Sequence, residues 1–214
     1  MEEQWLRFNQ NAKLAFCDVE TFNLALNFQF NRPWQVAALK VIGEVVMQEI
    51  DVMVKWEDCK FKIGAGAAAI TKFNEAEYLR RAISPDDAFP QFWYVLKWAD
   101  HIIMHNGLRF DMYLLKGYAE YMGEDWSWLL PKIIDTKAIA QGIKLNRPFQ
   151  PKQDNWLEYQ YIMANDHTKG IKTNLSTLGK EYQIDHDYAN LHNAIVDLRL
   201  NKKVWDKQKW QLEL

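Results

Sequence analysis

Three short stretches of this 214-residue chain place acids where they could do chemistry. In Leu14–Glu20 (LAFCDVE) an apolar run ends in Asp18 and Glu20. Side chains alternate along a strand, so both carboxylates share one face while Cys17 and Val19 turn to the other. Like charges side by side are unfavourable unless a cation neutralises them. In the second stretch, running from Asn106 to Phe110-Asp111, a buried strand passes into a helix and Asp111 falls in its first turn. In the third, His192 precedes Asp197 by five residues. On a regular helix that separation is about 140°, so the two converge only if His192 lies in or before a frayed first turn, with Asn190 as a cap.

Each stretch alone has a plainer explanation. An Asp-x-Glu pair suits a solvated strand end, Asp111 suits the positive end of a helix dipole, and Asp197 suits a charged helix surface with His192 structural. What the set would bind is easier to state. Hard oxygen ligands without thiolates suit magnesium or manganese, and an imidazole with an ordinary pKa near 6.5 suits a general base at neutral pH.

The elements that must position these groups can be read from periodicity and punctuation. After the Leu14–Glu20 strand comes an Asn-rich loop through Arg32-Pro33. Residues 34–56 read as two strands broken near Gly43-Glu44, which suits a hairpin. The stretch 64–83 reads as helical, and Ser84-Pro85-Asp86 opens a further helix to Ala99. His101–His105 (HIIMH) is a short buried strand, followed by a helix from about Leu108 to Met122. Lys132–Asp135 is another strand, with Thr136 opening a helix. A loop over Asn146–Lys152, a helix near Asp154–Asn165 and a basic turn His167–Lys172 follow. Asn174 or Ser176 starts a short helix, and the last helix runs from near Asn190 to Trp205. A three-strand meander followed by alternating helices and strands implies an α/β sandwich with a mixed sheet.

Composition narrows the partners. Hydrophobic residues make up 49% and charged residues 25%, an ordinary globular balance. No apolar run approaches the roughly 20 residues of a membrane span. The start, MEEQWLRFNQNAK, lacks the basic flank and apolar stretch of a secretion signal, so a cytoplasmic location is expected. Cys17 and Cys59 cannot make a disulfide framework and lack companions for a zinc site. A formal net charge of -2 excludes a broadly basic coat for nucleic acid. Positive charge for such a partner must be local or come from bound metal. The aromatic content of 14%, with ten Trp, is high; a Trp-rich core and surface accounts for most of it, and a few exposed aromatics are available to stack on bases.

In order and spacing the three stretches resemble the three exonuclease motifs of the DEDDh family, which includes bacterial proofreading subunits, ribonuclease T and oligoribonuclease. Asp18-Val19-Glu20 resembles the first motif, Asn106 to Phe110-Asp111 the second, and His192 to Asp197 the third. Ile134-Asp135-Thr136 and NLSTLGKEYQI ahead of the third motif are further echoes, and the likeness runs from about Leu14 to Trp205. One departure is Glu20-Thr21-Phe22-Asn23, where many relatives carry Thr-Thr-Gly or Thr-Gly.

The resemblance implies a ribonuclease-H-like mixed β-sheet flanked by α-helices, in a single exonuclease domain over 1–214 with its core at about 14–206. It implies 3′→5′ release of nucleoside monophosphates from single-stranded ends, DNA favoured over RNA, by two magnesium or manganese ions per site. Asp18 would bridge both ions, Glu20 and Asp197 would complete the site of the ion holding the attacking water, Asp111 would support the other, and His192 would be the base. Thr21, Phe22 and Asn106 are the expected substrate contacts, although Phe22 serves equally well as a core side chain. Alternatives are an RNA-trimming enzyme of the same family and a nucleic-acid-binding module without activity. A homodimer is compatible with the sequence. Lys144, Arg147, Lys152, Lys169 and Lys172 form either a solvated rim or a surface near the third motif, and His105 and His186 are expected to be structural.

Overall fold

The computed structural model describes residues 5–57 and 62–214. Its first strand, β1 (Lys13–Thr21), lies at the centre of a five-stranded sheet. β2 (Pro33–Ile42) and β3 (Val45–Met53) follow as an antiparallel meander. On the other side of β1 come β4 (His101–Met104) and β5 (Ile133–Asp135), both parallel to it. The order is β3-β2-β1-β4-β5. A parallel β1, β4 and β5 discharge their carboxyl ends along one edge, the edge towards which Asp18 and Glu20 run.

Both faces of β1 are covered, which is why its sequence is apolar from Leu14 to Cys17. Ala15, Cys17 and Val19 pack with α3 (Pro85–Trp98) and α4 (Asp111–Tyr121), while Leu14 and Phe16 pack with α5 (Thr136–Lys144), α6 (Trp156–Asn165) and α8 (Ala194–Gln208). Asp18 and Glu20 continue the second set by the strand's alternation and so face α8.

The expected punctuation holds at several ends. Gly43 turns the hairpin at φ 58. Ser84 caps α3 by accepting the Asp87 N–H at 3.1 Å, with Pro85 at the first helical position. Asn174 rather than Ser176 caps α7 (Leu175–Glu181).

Other boundaries differ. Residues 64–83 form two helices, α1 (Ala65–Thr71) and α2 (Glu75–Arg81), because Lys72 adopts φ 53 and Asn74 restarts the chain as a cap. The third strand stops at Met53, beyond which Val54 bridges to Ile83 and donates its N–H to Trp34 O at 2.9 Å. Before α4 the chain makes a 3-10 turn at Gly107–Arg109, so the α-helix begins at Asp111 and not near Leu108. The last helix begins at Ala194: Asn190 belongs to a separate 3-10 turn, Tyr188–Asn190, and Asn193 takes the cap position.

Gly107 is where β4 hands over to the turn that delivers Asp111. A Cβ there would collide with the Met104 side chain, including its sulfur at 2.6 Å. Gly107→Ala should therefore destabilise by about 1–3 kcal/mol through overpacking. A thermal melt should show a loss of roughly 2–10 °C for a chain of this length. An unchanged melting temperature would show that the turn gives way freely.

Candidate active site

β1 and α8 supply three of the four acids. Asp18, Glu20 and Asp197 are half-buried, and one carboxylate oxygen from each lies within 4.8 Å of the others. Room for them comes partly from the neighbouring strand, where Asp18 is paired with the small Ala37. After Glu20 the register slips, Thr21 pairing with Pro33, and this irregularity turns the chain out of the sheet just past the acids.

Asp111 reaches the same place from the α3-α4 side. It is buried, and its Oδ1 accepts the backbone N–H of Val19 at 3.1 Å, between Asp18 and Glu20. That bond fixes the start of α4 against β1. Asp111 lies outside the 4.8 Å group, yet its charge acts on both Asp18 and Glu20.

His192 and Asp197 meet because His192 lies before the helix. It sits in the left-handed region at φ 68, exposed, and its backbone N–H donates to Asp197 Oδ1 at 3.1 Å. Asp197 thus ties the residue before the cap position back onto the first turn of α8, and Asn190, expected as the cap, lies outside the helix start.

The acids resist ionisation together. Burial, then the charges of Asp111, Glu20 and Asp197, push Asp18 well above the ordinary carboxylate range. Burial and the charges of Asp197 and Asp111 do the same to Glu20. Asp111 is pushed up to about 7 by burial, against the opposing help of the Val19 N–H. Asp197 is pushed up to about 6 by burial, although the His192 N–H and the charges of His192 and Lys72 favour its ionised form. Among the described residues no lysine or arginine forms a salt bridge with any of the four. Clustered hard oxygens, short of positive charge, fit one or more divalent cations. Cys17, whose thiol is driven up by burial and by Asp111 and Asp18, is a core group on the opposite face and no ligand.

The remaining candidates are placed differently. Thr21 is buried and its hydroxyl donates to Asn23 O at 2.6 Å. Phe22 lies in the core on the α3 side, edge-on to Tyr78, and also borders a cavity of about 550 Å³ lined by Lys55, Trp56 and Phe73. Asn106 is left-handed at φ 67, donates its N–H to Asp135 and accepts from Lys137 Nζ at 3.0 Å. Of the five late basic residues, Lys144 is tied to Glu181 at 2.6 Å and donates to Lys172 O at 2.5 Å, while Lys152 and Lys172 border different cavities. His105 is half-buried, its Nδ1 lies 2.9 Å from Thr136 Oγ1, and desolvation lowers its pKa to about 3, so it stays neutral.

Two positioning groups escaped the sequence reading. Asp135, fully buried, accepts backbone N–H groups from Asn106 (2.9 Å), Leu108 (3.1 Å), Lys137 (3.0 Å) and Ala138 (3.3 Å). It caps α5 and at the same time shapes the turn leading to Asp111. Its signal was an acid at a strand end directly before a helix. Asn31, also fully buried, closes the loop after the acids through its Nδ2 to Asn23 O and Ala25 O at 2.7 and 2.8 Å. An Asn-rich loop announces such bonds without saying which Asn makes them.

No protein-family model and no curated protein matches the chain. Solved structures do. E. coli exonuclease I in complex with a dT13 oligonucleotide superposes with a TM-score of 0.70 at 20% identity, covering 92% of this chain and 41% of that one. The zinc-ion-bound form of an E. coli exonuclease I complex with single-stranded DNA gives 0.73 at 20%, over 94% and 41%. A product-bound exonuclease I gives 0.69 at 19%, over 94% and 45%. The likeness establishes the fold, the ribonuclease-H-like mixed sheet flanked by helices. The chain spans about two-fifths of the length of these structures.

The raised acids make stability depend on pH. Their folded-state pKa values, about 6 for Asp197 and about 7 for Asp111, exceed the roughly 4 of an unfolded carboxylate. The folded state then holds more protons than the unfolded one between those limits. Its stability falls as pH rises through about 4 to 7. Metal-free protein should melt lower at pH 8 than at pH 5.5. Manganese at one fixed concentration, a hundredfold above its Kd at pH 8, should restore about 2.7 kcal/mol, roughly 5–10 °C, at pH 8 and less at pH 5.5, where protons compete for the acids. Asp18→Asn should melt higher than the parent without metal and respond little to it. A metal response equal at both pH values would contradict this.

Proposed function

We propose that the chain is a metal-dependent 3′→5′ exonuclease that releases nucleoside monophosphates from single-stranded nucleic-acid ends, with DNA favoured over RNA. The observation that carries this reading is the convergence of Asp18, Glu20 and Asp197 within 4.8 Å, with Asp111 bonded to the backbone between the first two and His192 bonded to the third. The exonuclease I complexes that share the fold hold single-stranded DNA, which supports DNA as the substrate.

Asp18, Glu20, Asp111 and Asp197 would hold two magnesium or manganese ions. When bound, such ions neutralise phosphate charge and acidify the attacking water. Positive charge at this one point answers the net charge of -2 without a basic coat. His192, exposed at the rim of the acids, accepts the water's proton at an imidazole nitrogen, while its N–H bond to Asp197 keeps the loop at the cleft. Water oxygen bonds to phosphorus, the bond from phosphorus to the 3′ oxygen of the preceding nucleotide breaks, and that oxygen takes a proton from solvent. Asp111 holds α4 and β1 at a fixed separation through Val19, so the acids stay in place during turnover. A cytoplasmic setting accords with this chemistry, and among the described residues no helix is long and apolar enough to cross a membrane.

The test follows a 5′-labelled DNA strand with manganese or magnesium. A ladder shortening from the 3′ end is expected, suppressed by a 3′ phosphate and slower on RNA and on blunt duplex. Asp18→Ala should abolish cleavage, and His192→Ala should slow it about 10²–10⁴-fold with substrate binding retained. Comparable cutting of circular single strands would identify an endonuclease, and binding without cleavage would identify a silent module.

A further inference from the structure

α1 and α2 lie between β3 and α3, outside the three motif segments, yet one residue between them reaches the third segment. Lys72 takes the left-handed conformation at the end of α1, and from there its exposed ammonium donates to Ala189 O and, at 3.3 Å, to Asn190 Oδ1. Those residues stand just before Leu191-His192. A left-handed backbone at a residue other than glycine persists only where its surroundings hold it. His192 is such a residue, at φ 68. After it stands Asp197, accepting its N–H; before it stands the segment that Lys72 grips. Lys72 also lends its charge to Asp197.

We propose that Lys72 is a positioning residue for His192: by clasping Ala189 and Asn190 it holds the loop in the conformation that presents the imidazole to the acids. The clasp rests on geometry, and its catalytic consequence rests on the exonuclease reading above. An ammonium suits the task, because its three donors can hold a backbone carbonyl and a side-chain amide at once. Use as a phosphate contact would require it to leave both acceptors. The grip also couples the α1–α2 segment to the far side of the cleft, so displacement of either helix would be felt at His192.

Two measurements decide this. The first is amide exchange of the metal-free parent, Lys72→Ala and Lys72→Arg, read at Tyr188, Asn190 and His192, whose N–H groups are all bonded. Lys72→Ala should speed exchange there at least tenfold, and Lys72→Arg should restore most of the protection. Unchanged exchange overturns the clasp, whether or not the protein cleaves anything. The second is turnover of a 5′-labelled dT oligonucleotide with manganese. Lys72→Ala should lower kcat roughly 10–10²-fold, as a base displaced by about 1 Å would, with KM within about twofold and rescue by arginine. Lys72→Ala combined with His192→Ala should be no slower than His192→Ala alone, since an absent base cannot be misplaced. A raised KM with kcat retained, or losses that multiply in the double variant, overturns positioning and makes Lys72 a substrate contact. A parent that turns over no oligonucleotide sinks the exonuclease reading and the catalytic consequence with it, while exchange still decides the clasp.

Discussion

Four carboxylates held close together repel one another, and much of this molecule consists of what is needed to hold them there regardless. The repulsion is concentrated at Asp18, which feels Asp111, Glu20 and Asp197 at once. It sits on the central strand, paired there with Ala37 of β2 and just past the Leu14–Phe16 stretch that pairs with β4, so the backbone has little freedom to retreat. Asp111 is anchored through the Val19 N–H, and Asp197 through the His192 N–H. In each case a backbone donor of one acid-bearing segment, or of the loop beside it, partly offsets the charge it helps to confine. Backbone donors thus stand in for the lysine and arginine partners that these acids lack among the described residues.

The edge where these acids lie is created by topology. A purely antiparallel sheet would send neighbouring strand ends in opposite directions. Because β4 and β5 run parallel to β1, their exits converge, and the turns that follow β4 and β5 are both shaped by Asp135. Gln160 continues that chain of support by accepting the Asp135 N–H at 2.7 Å and donating to Ile133 O at 3.1 Å. The buried polar groups behind the site are therefore joined to one another, as a site that must keep its dimensions requires.

Much of this was legible in the sequence. Apolar runs of four to nine residues bounded by Gly, Pro and Asn announce strands, and Ser84-Pro85 announces α3, because the physics involved is local. The alternation that set Asp18 and Glu20 apart from Cys17 is likewise local. The convergence of His192 with Asp197 was legible only as a condition, that His192 precede the helix, and the left-handed φ of His192 is how the chain meets it. What was not legible depends on distant partners. Phe22 was equally suited to stacking on a base and to the core until Tyr78 and the α1–α2 segment stood beside it. The break at Lys72 has no Gly or Pro to mark it. Asn190 looked like a cap because caps are short polar residues, but the helix starts only at Ala194, with Asn193 at the cap position and Asp197 bonded back to the His192 N–H before it.

The displaced acidity of the four carboxylates bears on how their charge should be counted. The formal net charge of -2 takes every acid as ionised, whereas Asp111 is half-protonated near pH 7 and Asp18 and Glu20 are shifted in the same direction. The empty-handed protein is thus closer to electroneutral than its composition states, and its cleft behaves as a small reservoir of hydrogen ions. A divalent cation entering it must displace them, so uptake is an exchange and not a simple addition. Calorimetric heats of such an exchange would differ between phosphate and Tris buffers, because the buffer, and not the protein, receives what the cleft gives up.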